Sequence, residues 1–142
     1  MTYYKVVQRT YGGDGTFLPC SDAGQNVAGG EFRYTVGKWA YAKSGGFFVF
    51  NNLKKAVHFR GTVCGTHIFE VDVAIPVKVP KQIIMGFESR YNVFQMVRIA
   101  KCREISLWQL LNRPGTYVPF RLQDPIDGSI CFRKVKLTRR VK

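Results

Sequence analysis

Cys64, His67, Glu70 and Asp72 fall within nine consecutive positions, so one short stretch of this 142-residue chain carries a thiol, an imidazole and two carboxylates. A Cys-x-x-His pair could supply two ligands of a tetrahedral zinc site, with Cys102 or Cys131 brought in by folding. Such sites normally show a second close ligand pair, however, and the cysteines at 20, 102 and 131 are isolated. Reduced thiols are therefore expected rather than a metal or disulfide framework. Cys64 or Cys102 with His67 and Glu70 could also be drawn as a nucleophilic triad, but on a strand His67 and Glu70 point to opposite faces and cannot pair directly. Glu70 and Asp72 do share a face, where paired carboxylates can perform acid–base chemistry. On a chain of net charge +13 they are expected instead to bind Lys or Arg across a sheet. An ADP-ribosyltransferase-like enzyme would assign roles to Arg9, Tyr34 and Glu70, yet their spacing is that of ordinary strand residues. Neither a GxGxxG nor a GxxxxGK[ST] phosphate loop is present. The sequence thus leans away from catalysis, and no cofactor is expected.

Charge is the stronger signal. The chain has 22 Lys and Arg against 9 Asp and Glu, a balance that attracts polyanions through long-range Coulomb steering. Six of the basic residues, Arg133, Lys134, Lys136, Arg139, Arg140 and Lys142, crowd a segment at 132–142 that contains no acid. A second group, Arg98, Lys101 and Arg103, lies near Tyr91 and Phe94, and cations interleaved with aromatics can hold a nucleic-acid backbone while rings stack on bases. These nine residues are the candidate polyanion-binding set. Trp39 and Trp108 are the aromatics that would anchor a protein interface if they are exposed.

The elements that must position them read as follows. Residues 3–9 form a first strand, ended by Gly12-Gly13-Asp14-Gly15, and residues 12–30 form a mobile Gly-rich loop. Residues 31–42 alternate as a strand with Phe32, Tyr34 and Val36 on one face, and Phe47–Phe50 is a short buried strand. Asn51 or Asn52 caps a short helix, with Leu53, Ala56 and Val57 on one stripe and Lys54, Lys55 and His58 facing away, that ends near Gly61. Residues 66–75 form the clearest strand, with His67, Phe69, Val71, Val73 and Ile75 on one face, before Pro76 and Pro80 limit pairing. A further strand fits residues 93–103. Ser106 and Gln109 have the spacing of a capping box for a helical turn, and strands near 117–122 and 129–137 join as a hairpin. The sum is a single α+β domain over 1–142: a mainly antiparallel curved sheet of six or seven strands with two short helices.

Tyr4-Lys5-Val6-Val7, Tyr34-Thr35-Val36-Gly37-Lys38, the short helix over 53–59, Ile68-Phe69-Glu70-Val71 and Lys101-Cys102-Arg103, in this order, resemble small uncharacterised domains of phages and large DNA viruses. The resemblance covers roughly residues 3 to 105. It implies a viral or phage origin and hence a virion component or host-interaction factor, and it carries no catalytic residues.

The leading expectation is a non-catalytic basic interaction or structural protein, virion-associated, that docks on an acidic protein surface. The alternatives are a nucleic-acid-binding module and the small ADP-ribosyltransferase-like enzyme. No apolar run approaches the ~20 residues that span a bilayer, and the start of the chain has no secretory pattern. The expected location is the host cytoplasm or nucleus, or the virion.

Overall fold

The computed structural model describes residues 1–9, 15–19, 33–42, 45–61, 66–81, 83–84, 98–112, 122–124 and 127–142. Nine strands run through them: β1 (Tyr3–Arg9), β2 (Thr16–Pro19), β3 (Tyr34–Thr35), β4 (Trp39–Tyr41), β5 (Phe47–Phe50), β6 (Thr66–Val77), β7 (Ile83–Ile84), β8 (Leu122–Gln123) and β9 (Ser129–Arg140). The helices are α1 (Leu53–Arg60), α2 over residues 98–102, and α3 (Leu107–Leu111). The architecture is mainly antiparallel α+β, as expected. Three helices rather than two are found among the described residues, and the sheet does more than curve.

β6 pairs along one edge with β1 and along the other with β9, while β5 also pairs with both, so β1, β5, β9 and β6 close into a four-stranded ring. β5 spans the gap between β1 and β9 at one end of this barrel. At the other end β2, β3 and β4 span the same gap, since β2 pairs with β1, β3 with β2 and β4 with β9. Closure removes most of the exposed edges that an open sheet leaves. The barrel is filled by Val7, Phe47, Val49, Phe69, Val71, Val135 and Leu137, and the opposite faces of the same strands present Val6, Phe50 and Ile68 to α1. Lys5 points inward with Val7, is fully buried, and donates from Nζ to the Phe48 carbonyl at 2.6 Å.

α1 forms where its caps dictate. The Asn52 side chain accepts from the Lys55 N–H, Gly61 closes the helix at φ +57°, and the Leu53, Ala56 and Val57 stripe packs on the barrel. α3 starts with the expected capping box: Ser106 Oγ accepts from the Gln109 N–H at 3.1 Å and Gln109 Oε1 from the Ser106 N–H at 2.8 Å.

Several expectations are corrected. Residues 98–102, assigned to a strand over 93–103, are helical; residues 93–97 lie outside the described set. The loop placed at 12–30 contains β2, with residues 12–14 and 20–30 outside the described set, and the described part of the strand drawn through 31–42 holds two short strands with Val36 exposed in the turn between them. β8 pairs with β7, and the hairpin expected to join 117–122 to 129–137 falls mostly on residues 117–121, which lie outside the described set. Pro76 does not stop β6, because it pairs opposite Phe132. Ile75 leaves the face of Phe69, Val71 and Val73: its φ is +62°, left-handed backbone that β-branched residues rarely adopt, and the side chain is 50% exposed. β9 compensates, with Phe132, Val135 and Leu137 all facing the core. Among the described residues no helix is long and apolar enough to cross a membrane.

Candidate polyanion-binding surface

The segment at 132–142 is no loose tail. It lies within β9 as far as Arg140, pairs with β6 along its length, and continues to Val141 and Lys142, whose N–H groups donate to the Ile68 carbonyl. Strand alternation therefore sorts its six cations to different places.

Lys134 and Lys136 emerge on the outer face beside β4. Trp39 stands opposite Lys136 and Tyr41 opposite Lys134, with Ala40 turned into the core between them. Trp39 is 44% exposed and Tyr41 55%. The Nζ atoms of Lys134 and Lys136 lie 4.9 and 5.0 Å from the centre of the Trp39 ring, within cation–π range. On β6, Lys136 also meets Asp72 at 3.3 Å, whereas Lys134 stands opposite Ala74. The corner before β4 fixes this display. Lys38 N–H donates to the Thr35 carbonyl at 3.1 Å, Gly37 supplies φ +83° at the third position as a type II turn requires, and its N–H donates to the Leu137 carbonyl at 2.8 Å.

Arg139 is held elsewhere. Its Nη2 donates to Glu70 Oε1 at 2.6 Å and its Nε to Oε2 at 3.3 Å, a bidentate pair that raises the guanidinium pKa. Thr138, the extra residue of a bulge in β9, donates to the Glu70 carbonyl at 2.9 Å. Both carboxylates of the outer face of β6 are thus bound across the sheet, as charge predicted. Arg133 is half-buried, and its Nε has no hydrogen-bond partner among the described residues. Arg98, Lys101 and Arg103 are exposed on α2 and the turn after it, in the excursion between β6 and β9.

Arg140 and Lys142 join a group that the sequence reading did not assemble. At the barrel end where β1 and β9 finish, Arg9 Nη2 donates to His67 Nε2 at 3.3 Å, and Arg60 Nη1 donates to the Lys142 carbonyl, also at 3.3 Å. The Phe17 ring lies edge-on to His67 at 6.0 Å. Burial and the charges of Arg140, Arg9 and Arg60 push the His67 pKa below its usual 6.5, partly opposed by a hydrogen bond to the Lys142 backbone. No linear spacing signals this group, because it draws on β1, α1, β6 and β9.

The residues considered for catalysis do not converge. Tyr34 is buried in the core against Phe47, Glu70 is bound by Arg139, and Arg9 is engaged with His67. Cys64 lies outside the described residues; Cys102 is exposed on α2 while Cys131 is buried in β9. An open groove of about 730 Å³ along α1 is lined by Asn52, Leu53, Lys54, Val57, His58 and Lys142, with neither a carboxylate side chain nor a thiol beside the imidazole. Trp39, foreseen as an interface anchor, is exposed, and the side chain of Trp108 lies outside the described set. No family model, curated protein or solved structure matches this chain.

Proposed function

We propose that this protein is a non-catalytic, basic binding module for single-stranded nucleic acid. The observation that carries the reading is the outer face of β4 and β9, where two exposed aromatics alternate with two lysines. Same-face residues on one strand stand ~6.6 Å apart, so Trp39 and Tyr41 offer successive platforms for unstacked bases. Stacking is worth ~1–3 kcal/mol per base and tolerates any sequence, and Lys134 and Lys136 lie where they can meet the phosphates. A duplex hides its base faces and gains little from such platforms. The +13 charge supplies the long-range attraction in either case.

An acidic protein surface, possible from charge alone, would use Trp39 as a buried anchor. The second aromatic on the same face and the two lysines gathered beside Trp39 favour nucleic acid over that partner. Viral or phage origin remains part of the proposal on the resemblance given above and is not needed for the binding chemistry.

The test is fluorescence anisotropy with a labelled single-stranded 12-mer, the matching duplex and poly-glutamate, across a salt series. Tighter binding to the single strand is expected, falling steeply with salt. The double variant Trp39→Ala/Tyr41→Ala should lose about tenfold or more, ~1.4 kcal/mol. Lys134→Gln/Lys136→Gln should flatten the salt slope by about two phosphate contacts. Preference for duplex or poly-glutamate, or indifference to the aromatic variant, overturns the reading.

A further inference from the structure

We infer that the barrel end bearing Arg9, Arg60, His67 and Arg140 is an oxyanion site that takes a doubly charged phosphate group, either inorganic phosphate or the terminal phosphate of an oligonucleotide. The site is distinct from the Trp39 face and stands whether or not single strands bind there.

Among the described residues, no carboxylate side chain pairs with these cations. Arginine has donors only, so in the Arg9–His67 contact of 3.3 Å the imidazole Nε2 must accept, which places the ring proton on Nδ1. The Lys142 backbone lies beside the ring, and its carbonyl accepts from Arg60. Arg9 on β1, Arg60 at the end of α1, Arg140 at the end of β9 and Lys142 just beyond it thus gather at the end of the barrel that holds His67, and the Phe17 ring of β2 stands perpendicular to the imidazole. Three guanidiniums brought together repel one another, and an anion among them converts that repulsion into attraction. Their planar forks suit several oxygens at once. A phosphate monoester offers three terminal oxygens and a charge of about −1.5 to −2, whereas a backbone diester offers two free oxygens and a single charge.

His67 adds a proton linkage. An anion beside the ring favours the imidazolium, and on protonation Nε2 changes from acceptor to donor. Arg9 is then released to the ligand, and the ring supplies another donor. For an anion that keeps its charge, binding takes up a proton and tightens as the pH falls towards the lowered His67 pKa. Sulfate keeps its double charge from pH 5 to 8, so its pH dependence reports the protein and not the ligand.

The experiment is an NMR titration of the full chain, following the ring C–H signals of its two histidines, with His58, exposed on α1, as the comparison. Sodium sulfate and inorganic phosphate are added at constant ionic strength in chloride. Saturable movement of His67 but not His58, an upward shift of the His67 pKa with sulfate, and at least tenfold weaker binding in Arg9→Gln/Arg140→Gln are expected. Arg60→Gln, which leaves β1 and β9 intact, serves as a second variant should the double one unfold, and it too should weaken binding. Linear, equal movement of both histidines, or unchanged affinity in the folded variants, overturns the inference. A 5′-phosphorylated oligonucleotide acting at lower concentration than inorganic phosphate assigns the site to a strand terminus. Equal potency assigns it to the free anion. Equal action by the unphosphorylated oligonucleotide overturns the preference for a doubly charged group.

Discussion

Trp39 and Cys131 show how strand alternation gives neighbouring residue types opposite fates. Trp39 and Tyr41 flank an inward Ala40 and so face solvent, although aromatic residues of this size are usually mostly buried. In the sequence both fall within one longer strand, and Trp39 is an interface anchor only if exposed, because a strand's outer face cannot be told from its inner one until its partners are known. Cys131 is the converse: it is buried, and desolvation pushes its thiol pKa up to about 12, with the charge of Lys5 acting weakly the other way. The thiolate is the reactive form, so at pH 8 Cys131 stays protonated and shielded. Iodoacetamide labelling of the native protein, read by peptide mass spectrometry, should modify the exposed Cys102 within minutes and leave Cys131 intact until denaturant is added. Labelling of both at similar rates would show that β9 does not bury Cys131.

At the scale of elements, the caps and turns are where the sequence is most legible. Asn52 and the Ser106/Gln109 pair do what their positions foretell, because capping is settled within four residues and needs no distant partner. Asn52→Ala and Ser106→Ala should each cost about 1 kcal/mol, seen as a fall of a few degrees in Tm by circular dichroism. No fall for Asn52→Ala would mean that packing alone holds α1. Residues 98–102 mislead for a related reason. A short, partly apolar run fits a two-residue period and a 3.6-residue period about equally, and here Ala100 is buried while Arg98 and Lys101 are exposed, as a helix allows. β2 is hidden in the Gly-rich stretch because it is four residues long and carries no alternation of its own. Its pairing with Val7, Gln8 and Arg9 makes it a strand.

For the whole molecule, the excess of 13 positive charges opposes compaction, while the ion pairs Glu70–Arg139 and Asp72–Lys136 each have one exposed member and are weakened by solvent screening. Added salt screens both, and the net repulsion is the larger and longer-ranged of the two. Tm should therefore rise as sodium chloride goes from 0.05 to 0.5 M, measured by calorimetry at neutral pH. A falling Tm would mean that local pairs outweigh the net charge.

Composition, alternation and capping by themselves determined that the chain builds a basic, β-rich α+β domain with a capped helix after Phe47–Phe50 and a long final strand, since each of these follows from near neighbours. The tertiary structure alone decided that β6 lies between β1 and β9, that the sheet closes into a ring, and that β8 turns to β7. It alone brought Arg9, Arg60, His67 and Arg140 to one barrel end, and set Lys134 and Lys136 against Trp39. The physical reason is that strand pairing is non-local. A strand's periodicity says which residues share a face, but only its partners' register says whether that face is core, solvent or a neighbour's charge.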